Sequence, residues 1–464
     1  MPIIIKTVGI SVYGSYALLT SMVGIAYGLS SLGVGVKSNR YLPSANSNNE
    51  RAKLFYPPFY FQLMMIVLIS IIIVVFQDSI ISYVSDGNVI FSIYVIPLYL
   101  ILYSLYAYSY NYVRNTSRIF YMNLVGLAFA YGHVLFVLFY SQYIDLIDIN
   151  VLFLSQAFVS LMVSSPIIVI VYKELNIRFL FFKFNELKEQ IKIGFPLVLN
   201  LIVDFILSAS DRFVLAYFMG AFAVGLYVPA YTLGSIILLI PKAIGTVVPQ
   251  LMAKSVDSGN FDNAKILFFN SAKVLIVIAI PFIFGIYLIG HEALILLTNE
   301  EVATKGQYIA TIVAIGSLFY GLNLIMSQAN MVDLKTGVIF KANVIAAVLN
   351  LVLNIVILFF IQNIYIPAVT TVISFMIASV YFYKSLDEKW MDNNIILLLL
   401  KVCIVSILMF LFVYSAMMVL PALSIFMIII IKMLLSLISY NILVIVFKIY
   451  TINQLKNLKR VFVK

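Results

Sequence analysis

Six ionisable side chains interrupt long apolar stretches of this sequence. They are Asp204, Asp211, Arg212, Lys242, Lys401 and Lys432. An ionisable group in such a stretch is costly to place in a lipid bilayer, so each is a candidate for ligand or ion binding. The sequence has one cysteine, two distant histidines and no Gly-x-x-x-x-Gly-Lys-Ser/Thr loop. We therefore expect no bound metal, no cofactor and no enzymatic activity.

The densest group of polar positions shares one helix face. Asn200, Asp204 and Ser208 are four residues apart, and Asp211 and Arg212 follow Ser208 by three and four. Such spacings bring side chains to one side of a helix, although the adjacent Asp211 and Arg212 diverge from each other. In the functional interpretation Arg212 and Asn200 bind an anionic, polar substrate, while Asp204 and Asp211 carry a coupling cation. The structural alternative is an ion pair between helices, or a hydrogen-bonded packing residue for Asp204.

Two further cations are candidates for substrate binding. Lys242 follows Pro241 in a stretch with three prolines, where kinks free backbone carbonyls. The alternative is that Lys242 reaches out to the lipid head groups. Arg40 belongs to a set of basic residues at helix ends, which we interpret either as an entrance for a diphosphate or as ordinary membrane anchoring. The other members are Arg114, Arg118 and Lys341.

Uncharged polar residues define a second candidate surface. Asn350 lies seven residues after Asn343, and Asn354 follows Asn350 by four. They are predicted either to contact sugar hydroxyls or to hydrogen-bond neighbouring helices. For His133 we favour a hydrogen-bonded packing role over a proton relay.

The elements that position these residues are membrane-spanning helices. Of the 464 residues, 63% are apolar and 10% are charged, whereas a soluble chain has about 25% charged residues. Strands of a β-barrel would alternate in polarity over about 10 residues, which this sequence does not do. We predict an all-α integral membrane fold with thirteen spans, at roughly 12–36, 57–76, 89–110, 119–140, 150–172, 193–219, 223–249, 274–290, 306–328, 342–362, 364–383, 395–419 and 425–447.

Charge orients these spans. If 37–56 is cytoplasmic, 23 of the 29 basic residues fall on the inner side, two fall outside and four lie within helices. The outer connections instead carry acidic residues, namely Asp78, Asp86, Asp145, Asp148, Glu292, Glu300 and Glu301. This asymmetry follows the positive-inside rule and predicts a cytoplasmic C-terminus. The net charge of +10 is therefore explained without a nucleic-acid partner.

An internal repeat organises the chain. Residues 8–16 resemble residues 219–227 at an offset of 211, which aligns two glycine pairs and one tyrosine pair. The aligned pairs are Gly9 with Gly220, Gly14 with Gly225, and Tyr16 with Tyr227. A full helix precedes the second copy, whereas the first copy has only a few residues before it. We therefore expect a fourteen-helix plan whose first helix is absent; the alternative is a thirteen-helix protein with a short translocated N-terminus.

Several of these motifs resemble a known family. Gly-Leu-Ser-Ser-Leu-Gly-Val-Gly (28–35) and Asn-Arg-Tyr-Leu-Pro (39–43) resemble the start of bacterial polysaccharide-repeat flippases. The stretch 211–220, with Val-Gly-Leu-Tyr (224–227), resembles the corresponding part of their second lobe. Those proteins belong to the multidrug/oligosaccharidyl-lipid/polysaccharide exporter superfamily. The resemblance covers about 8–447 and implies two pseudo-symmetric six-helix lobes around a central cavity, alternating access and two additional C-terminal helices.

The repeat and the resemblance together predict the domain organisation. The predicted parts are an N-terminal lobe at 1–172, a cytoplasmic amphipathic linker at 173–192, a C-terminal lobe at 193–383, two additional helices at 395–447 and a basic cytoplasmic tail at 448–464.

The resemblance implies a flippase for an undecaprenyl-diphosphate-linked oligosaccharide in the bacterial cytoplasmic membrane. Its expected partners are that lipid-linked oligosaccharide, a coupling proton or sodium ion, membrane lipids and other polysaccharide-assembly proteins. The nearest alternative is a cation-coupled multidrug exporter of the same superfamily. A membrane polysaccharide polymerase or glycosyltransferase is disfavoured because no outer connection is large, the longest being about 291–305. A structural scaffold would not explain the charged helix face.

Overall fold

The computed structural model describes residues 2–85, 89, 91–143, 147–391, 394–419 and 424–449, which form helices joined by short connections and contain no strand. The predicted outer-loop residues Asp86 and Asp145, and the predicted tail beyond Ile449, lie outside the described residues. The α-helices are α1 Pro2–Val8, α2 Ile10–Ser30, α3 Val36–Tyr41, α4 Asn48–Val75, α5 Gln77–Val84, α6 Val95–Asn115, α7 Ile119–Tyr140, α8 Ile149–Leu175, α9 Phe184–Gly234, α10 Leu239–Asp257, α11 Phe261–Leu297, α12 Glu300–Val332, α13 Thr336–Phe360, α14 Ile366–Ser385, α15 Asn394–Val419 and α16 Ile425–Val446.

The predicted spans are confirmed as helices. Within the described residues, eleven helical segments are long and apolar enough to cross a membrane. One of them runs over 184–257 and contains two of the predicted spans. The remaining predicted span corresponds to α6, which is rich in tyrosine. The chain is therefore an all-α, multi-pass membrane protein.

Side-chain caps fix where several helices begin. The Ser47 hydroxyl accepts a hydrogen bond from the Glu50 backbone N–H at the start of α4. Asp148 accepts one from Val151 (2.9 Å) at the start of α8, and Asn299 begins α12 in the same way. Each cap satisfies a backbone N–H that has no partner within its own helix, so short polar residues define the element boundaries.

The chain divides into two compact units, residues 1–225 and 226–464. In unit 1 a core of aromatic and aliphatic side chains from α4, α6 and α8 surrounds the buried Tyr112. In unit 2 the single tryptophan, Trp390, is 1% exposed and packs against Phe261 and Phe268 of α11. The predicted lobe and linker boundaries stay predictions.

The glycines of the internal repeat share one unusual backbone conformation. Gly9 separates α1 from α2 with φ 82° and ψ 170°. Gly220 interrupts α9 with φ 80° and ψ 175°. This region of φ and ψ is accessible to glycine almost alone. Two glycines at an offset of 211 therefore make the same break between helices, which supports the repeat inferred from the sequence.

The second glycine pair of the repeat forms a reciprocal contact inside unit 1. A Cβ added at Gly14 would lie 1.9 Å from the Ala221 carbonyl oxygen. A Cβ added at Gly225 would lie 2.1 Å from the Ile10 carbonyl oxygen. Because Ile10 and Ala221 are also 211 residues apart, α2 and the part of α9 after Gly220 meet through equivalent positions. Only glycine permits this approach of two helix backbones.

Unit 2 carries a partly buried ion pair between α16 and α11. Lys432 of α16 donates to Glu292 of α11 (2.6 Å) and to the Leu288 carbonyl oxygen (2.7 Å). The two side chains are 13% and 18% exposed. The pairing inside the bundle predicted for Lys432 is therefore observed, and it compensates the cost of burying both charges.

Candidate functional site

Arg212 lies where two helices of unit 1 meet. It belongs to α9, and its guanidinium donates a hydrogen bond to the Ser21 hydroxyl of α2 (3.2 Å). Two turns earlier on α2, the Tyr13 ring lies within electrostatic range of Arg212. The Tyr13 hydroxyl is buried and makes no hydrogen bond within the described part of the chain. A buried hydroxyl without such a bond beside an arginine is an arrangement that suits an anionic ligand.

The neighbouring carboxylate is held by the backbone. Asp211 is 4% exposed, and its Oδ1 accepts a hydrogen bond from the Arg212 backbone N–H (2.8 Å). The two adjacent side chains therefore leave α9 in different directions, as the sequence predicts. Asp211 is therefore a buried group, in contrast to Asn200, Asp204 and Ser208 earlier on the same predicted face.

The earlier part of the predicted α9 face is accessible. Asn200, Asp204 and Ser208 are all exposed. The Ser208 hydroxyl donates to the Asp204 carbonyl oxygen (2.7 Å), so it is satisfied within its own helix. Asp204 is therefore exposed, whereas Asp211, seven residues later on the same helix, is buried.

A second polar cluster in unit 1 surrounds Tyr16. Its hydroxyl accepts a hydrogen bond from Gln156 Nε2 (2.7 Å) and lies 3.4 Å from His133 Nε2. His133 Nδ1 lies 2.6 Å from the Ser155 hydroxyl, which itself donates to the Leu152 carbonyl oxygen. The cluster joins α2, α7 and α8, in agreement with a hydrogen-bonded packing role for His133.

Unit 1 also contains a cavity of about 320 Å³. Gln62 of α4 lines it and donates to the Ser30 hydroxyl (2.9 Å), while Asn115 donates to Asn39 (2.8 Å) at its margin. Tyr108 contributes one of the aromatic walls. Its described lining residues are Tyr27, Gly28, Ser31, Gly33, Gly35, Val36, Ser38, Asn39, Leu42, Phe55, Pro58, Gln62, Tyr108, Asn111, Tyr112, Asn115, Leu197, Val198 and Leu201.

The lining of this cavity consists of amides, hydroxyls, aromatic rings and apolar side chains, and none of the described lining residues is charged. Such a lining can hydrogen-bond a neutral, hydroxyl-rich ligand. The cavity is not evident from the sequence, because its polar residues come from three separate stretches, 27–39, Gln62 and 108–115. The one available signal was the run of alternate tyrosines in α6.

The other predicted site residues have diverse environments. Arg40 is exposed on α3, with its guanidinium 5.7 Å from the centre of the Tyr41 ring. Lys242 is exposed on α10 in unit 2. Arg118, considered for a basic entrance, is in an ion pair with Glu174, whose other oxygen accepts from the Tyr112 hydroxyl (2.6 Å).

Asn350 and Asn354 are engaged in packing between helices of unit 2. Asn350 is 2% exposed and donates to the Thr371 hydroxyl (2.9 Å). Asn354 is fully buried, donates to Asn350 Oδ1 (3.3 Å) and accepts from the Thr370 hydroxyl. Of the two interpretations of this polar face, hydrogen bonding between α13 and α14 fits these contacts.

Family models match much of the chain. The model described as "Polysaccharide biosynthesis protein" matches residues 1–256, and the MatE model matches residues 196–356. A curated relative, the probable low-salt glycan biosynthesis flippase Agl15 of Haloferax volcanii, is 27% identical over 184 residues. This match covers 39% of the present chain and only 38% of the relative's own length.

Solved structures share the fold. The lipid II flippase MurJ in an inward closed conformation aligns with a TM-score of 0.65 at 16% identity, over 94% of this chain and 96% of that one. An inward-facing multidrug resistance MATE family transporter of the MOP superfamily aligns with a TM-score of 0.65 at 12% identity, over 83% and 95%. At these identities the likeness concerns the fold alone.

Proposed function

Because this chain belongs to the polysaccharide biosynthesis protein family, whose model matches more than half of it, we propose that it translocates an undecaprenyl-diphosphate-linked oligosaccharide across the bacterial cytoplasmic membrane. We propose that it acts as a flippase of the MOP superfamily, and the family match and the shared fold support a transporter instead of an enzyme. In this proposal its two lobes alternate in access, its C-terminus is cytoplasmic and the lipid tail of the substrate stays in the bilayer.

The main support for this proposal is the environment of the Arg212 guanidinium. A guanidinium bonded to Ser21 beside the buried Tyr13 hydroxyl offers a fixed positive charge and two hydroxyl groups. A diphosphate presents several acceptor oxygens, and arginine binds such groups through two parallel N–H donors. The exposed Arg40 and Lys242 stay predictions as additional cations that bind the diphosphate.

The sugar part of the substrate needs neutral hydrogen-bonding groups. We assign this role to the polar cavity of unit 1, with Gln62 and Asn39 among its amides and Tyr108 among its rings. Asn200, exposed on α9, is proposed as a further sugar contact. We leave Asn350 and Asn354 out of the proposed site because their amides bond to other side chains.

Energy coupling is assigned to Asp204. Its carboxylate is accessible on α9, eight residues before Arg212, so a proton or sodium ion bound there would change the charge near the diphosphate. Asp211, the second predicted coupling residue, is buried and accepts a hydrogen bond from the Arg212 backbone N–H. We propose that it tunes the affinity of Arg212 for the anionic substrate. Transport by Asp204→Asn that matches the parent protein at every pH and sodium concentration would exclude the coupling role.

The decisive experiment replaces Arg212. A hydrogen bond to a charged group contributes about 1.5–3 kcal/mol, so Arg212→Ala should lower the transport rate roughly 10- to 150-fold. Lipid-linked repeat units should then accumulate on the inner leaflet while surface polysaccharide falls. Arg178→Ala is the matched control, because it also removes one arginine of unit 1, but one that contacts Asn49 outside the predicted spans. Normal surface polymer in Arg212→Ala at normal protein abundance would contradict the anion-binding role.

A cation-coupled drug exporter is the second candidate. It is favoured by the MatE match over 196–356, which contains the accessible Asp204. An exporter would extrude organic cations from intact cells, and its deletion would leave lipid-linked repeat units at their normal level. A flippase would give the opposite result in both measurements.

A further inference from the structure

A second pocket, far along the chain from Arg212, lies in unit 2 where three helices approach one another. Its volume is about 230 Å³, and it is formed by α11, the first turns of α15 and the residues just after α16. Lys273, Lys401 and Lys448 line it, one from each of these segments. Among the described residues that line it, none is Asp or Glu. Three positive charges thus converge on one small space.

The rest of the pocket determines what kind of anion fits. Asn270 adds an amide beside the lysines, whereas Ile395, Leu398 and Ile449 form apolar walls. Leu397 also lines the pocket and is 53% exposed, so apolar surface continues outward along α15 from the cationic centre. A ligand with a charged head and an apolar tail would match both parts, whereas a free inorganic anion would match only the lysines.

The positions of the lysines along their helices agree with a site at the membrane surface. Lys401 is the eighth residue of α15, and Lys448 comes two residues after the end of α16. The sequence places this end of both helices on the cytoplasmic side by the positive-inside rule. A single lysine there would be explained by membrane anchoring, but three that share one pocket form a basic site between helices, which suits a lipid phosphate.

We propose that Lys273, Lys401 and Lys448 bind the phosphate head group of a membrane lipid whose acyl or prenyl chain lies along α15. Binding of a lipid phosphate here does not depend on the transport substrate assigned above; only the polyprenyl carrier, as one of the two occupants, rests on the proposed function. Its occupant is either an anionic phospholipid of the bilayer or the diphosphate end of a polyprenyl carrier, which share the same head-group chemistry.

The test measures binding of fluorescent phosphatidylglycerol to the purified full-length protein in neutral detergent. Each lysine near a membrane surface strengthens binding of an anionic lipid about fivefold, so the triple variant K273Q/K401Q/K448Q should bind on the order of 100-fold more weakly. The matched control K254Q/K341Q/K384Q removes three exposed lysines of the same unit and should change the affinity less than about threefold. Equal weakening in both triple variants would overturn the proposal.

A single substitution protects the test against misfolding of the triple variant. Lys448 is exposed beyond the end of α16, so Lys448→Gln leaves the helix contacts intact and should still weaken binding about fivefold. Unchanged affinity in Lys448→Gln would remove this residue from the site and overturn the three-lysine arrangement.

Competition identifies the occupant. Stronger displacement of the probe by undecaprenyl diphosphate than by unlabelled phosphatidylglycerol would support the carrier as the occupant, and the reverse order would support the phospholipid. Displacement by inorganic phosphate at the same concentration would overturn the lipid assignment. Displacement by diacylglycerol, which has no phosphate, would overturn the role of the lysines.

Discussion

Replacing Gly14 by alanine tests the helix contact at the centre of the repeat. The new Cβ would lie 1.9 Å from the Ala221 carbonyl oxygen, and an ordinary contact begins at 3.4 Å, so the backbones must separate by about 1.5 Å. The obstructing atom belongs to a backbone, so no side chain can rotate away. Overpacking of this kind costs about 1–3 kcal/mol, and we expect a value near the upper end.

Gly24, in the same helix, provides the matched control. A Cβ at Gly24 meets nothing within 4 Å. Both substitutions raise helix propensity by about 0.5–1 kcal/mol, so this contribution cancels when the two variants are compared. Free energies of unfolding are measured for both in the same mixed micelles by far-ultraviolet circular dichroism. Values for Gly14→Ala and Gly24→Ala within about 0.5 kcal/mol of each other would refute the contact.

Two further predictions concern buried polar groups of unit 2. Lys432→Met should lower the free energy of unfolding by about 3–5 kcal/mol because it leaves the Glu292 carboxylate without its partner. The double variant Lys432→Met/Glu292→Gln should recover most of this loss. No recovery in the double variant would contradict the ion pair. Asn354→Ala should cost about 1–3 kcal/mol because it removes the buried hydrogen bonds that join Asn354 to Asn350 and to Thr370, while transport per folded molecule stays unchanged. A loss of transport at normal abundance would instead return Asn354 to the substrate site.

The helices were predictable because each is a long apolar run, and because glycine is the residue that tolerates the backbone of Gly9 and Gly220. Spacing along α9 also placed Asp204 and Arg212 on their helix. What spacing could not give was burial: Asp204 is exposed and Asp211 is enclosed, although both belong to the same predicted face. Burial depends on which neighbouring helix covers each turn, and that information is absent from the pattern of one helix.

Contacts between distant segments were the other part that the sequence could not supply. Ser21 bonds to Arg212 across 191 residues and Tyr13 interacts with it electrostatically across 199, and nothing in their local sequence marks them as its partners. The same holds for the polar cavity, in which Gln62 and Asn115 come from different helices. Asn350 and Asn354 show the reverse case, since periodicity identified a polar face but did not distinguish a ligand surface from a helix contact.

The ion pair between Lys432 and Glu292 has a consequence for how the protein is inserted into the membrane. Lys432 lies eight residues into α16, where a lysine facing lipid costs about 2.5–3.5 kcal/mol. Its partner on α11 is synthesised about 140 residues earlier, so α11 is in place when α16 leaves the ribosome. Helix α16 therefore gains full stability in the bilayer only after it docks against α11, which makes its integration an assembly-dependent step that follows the insertion of α11.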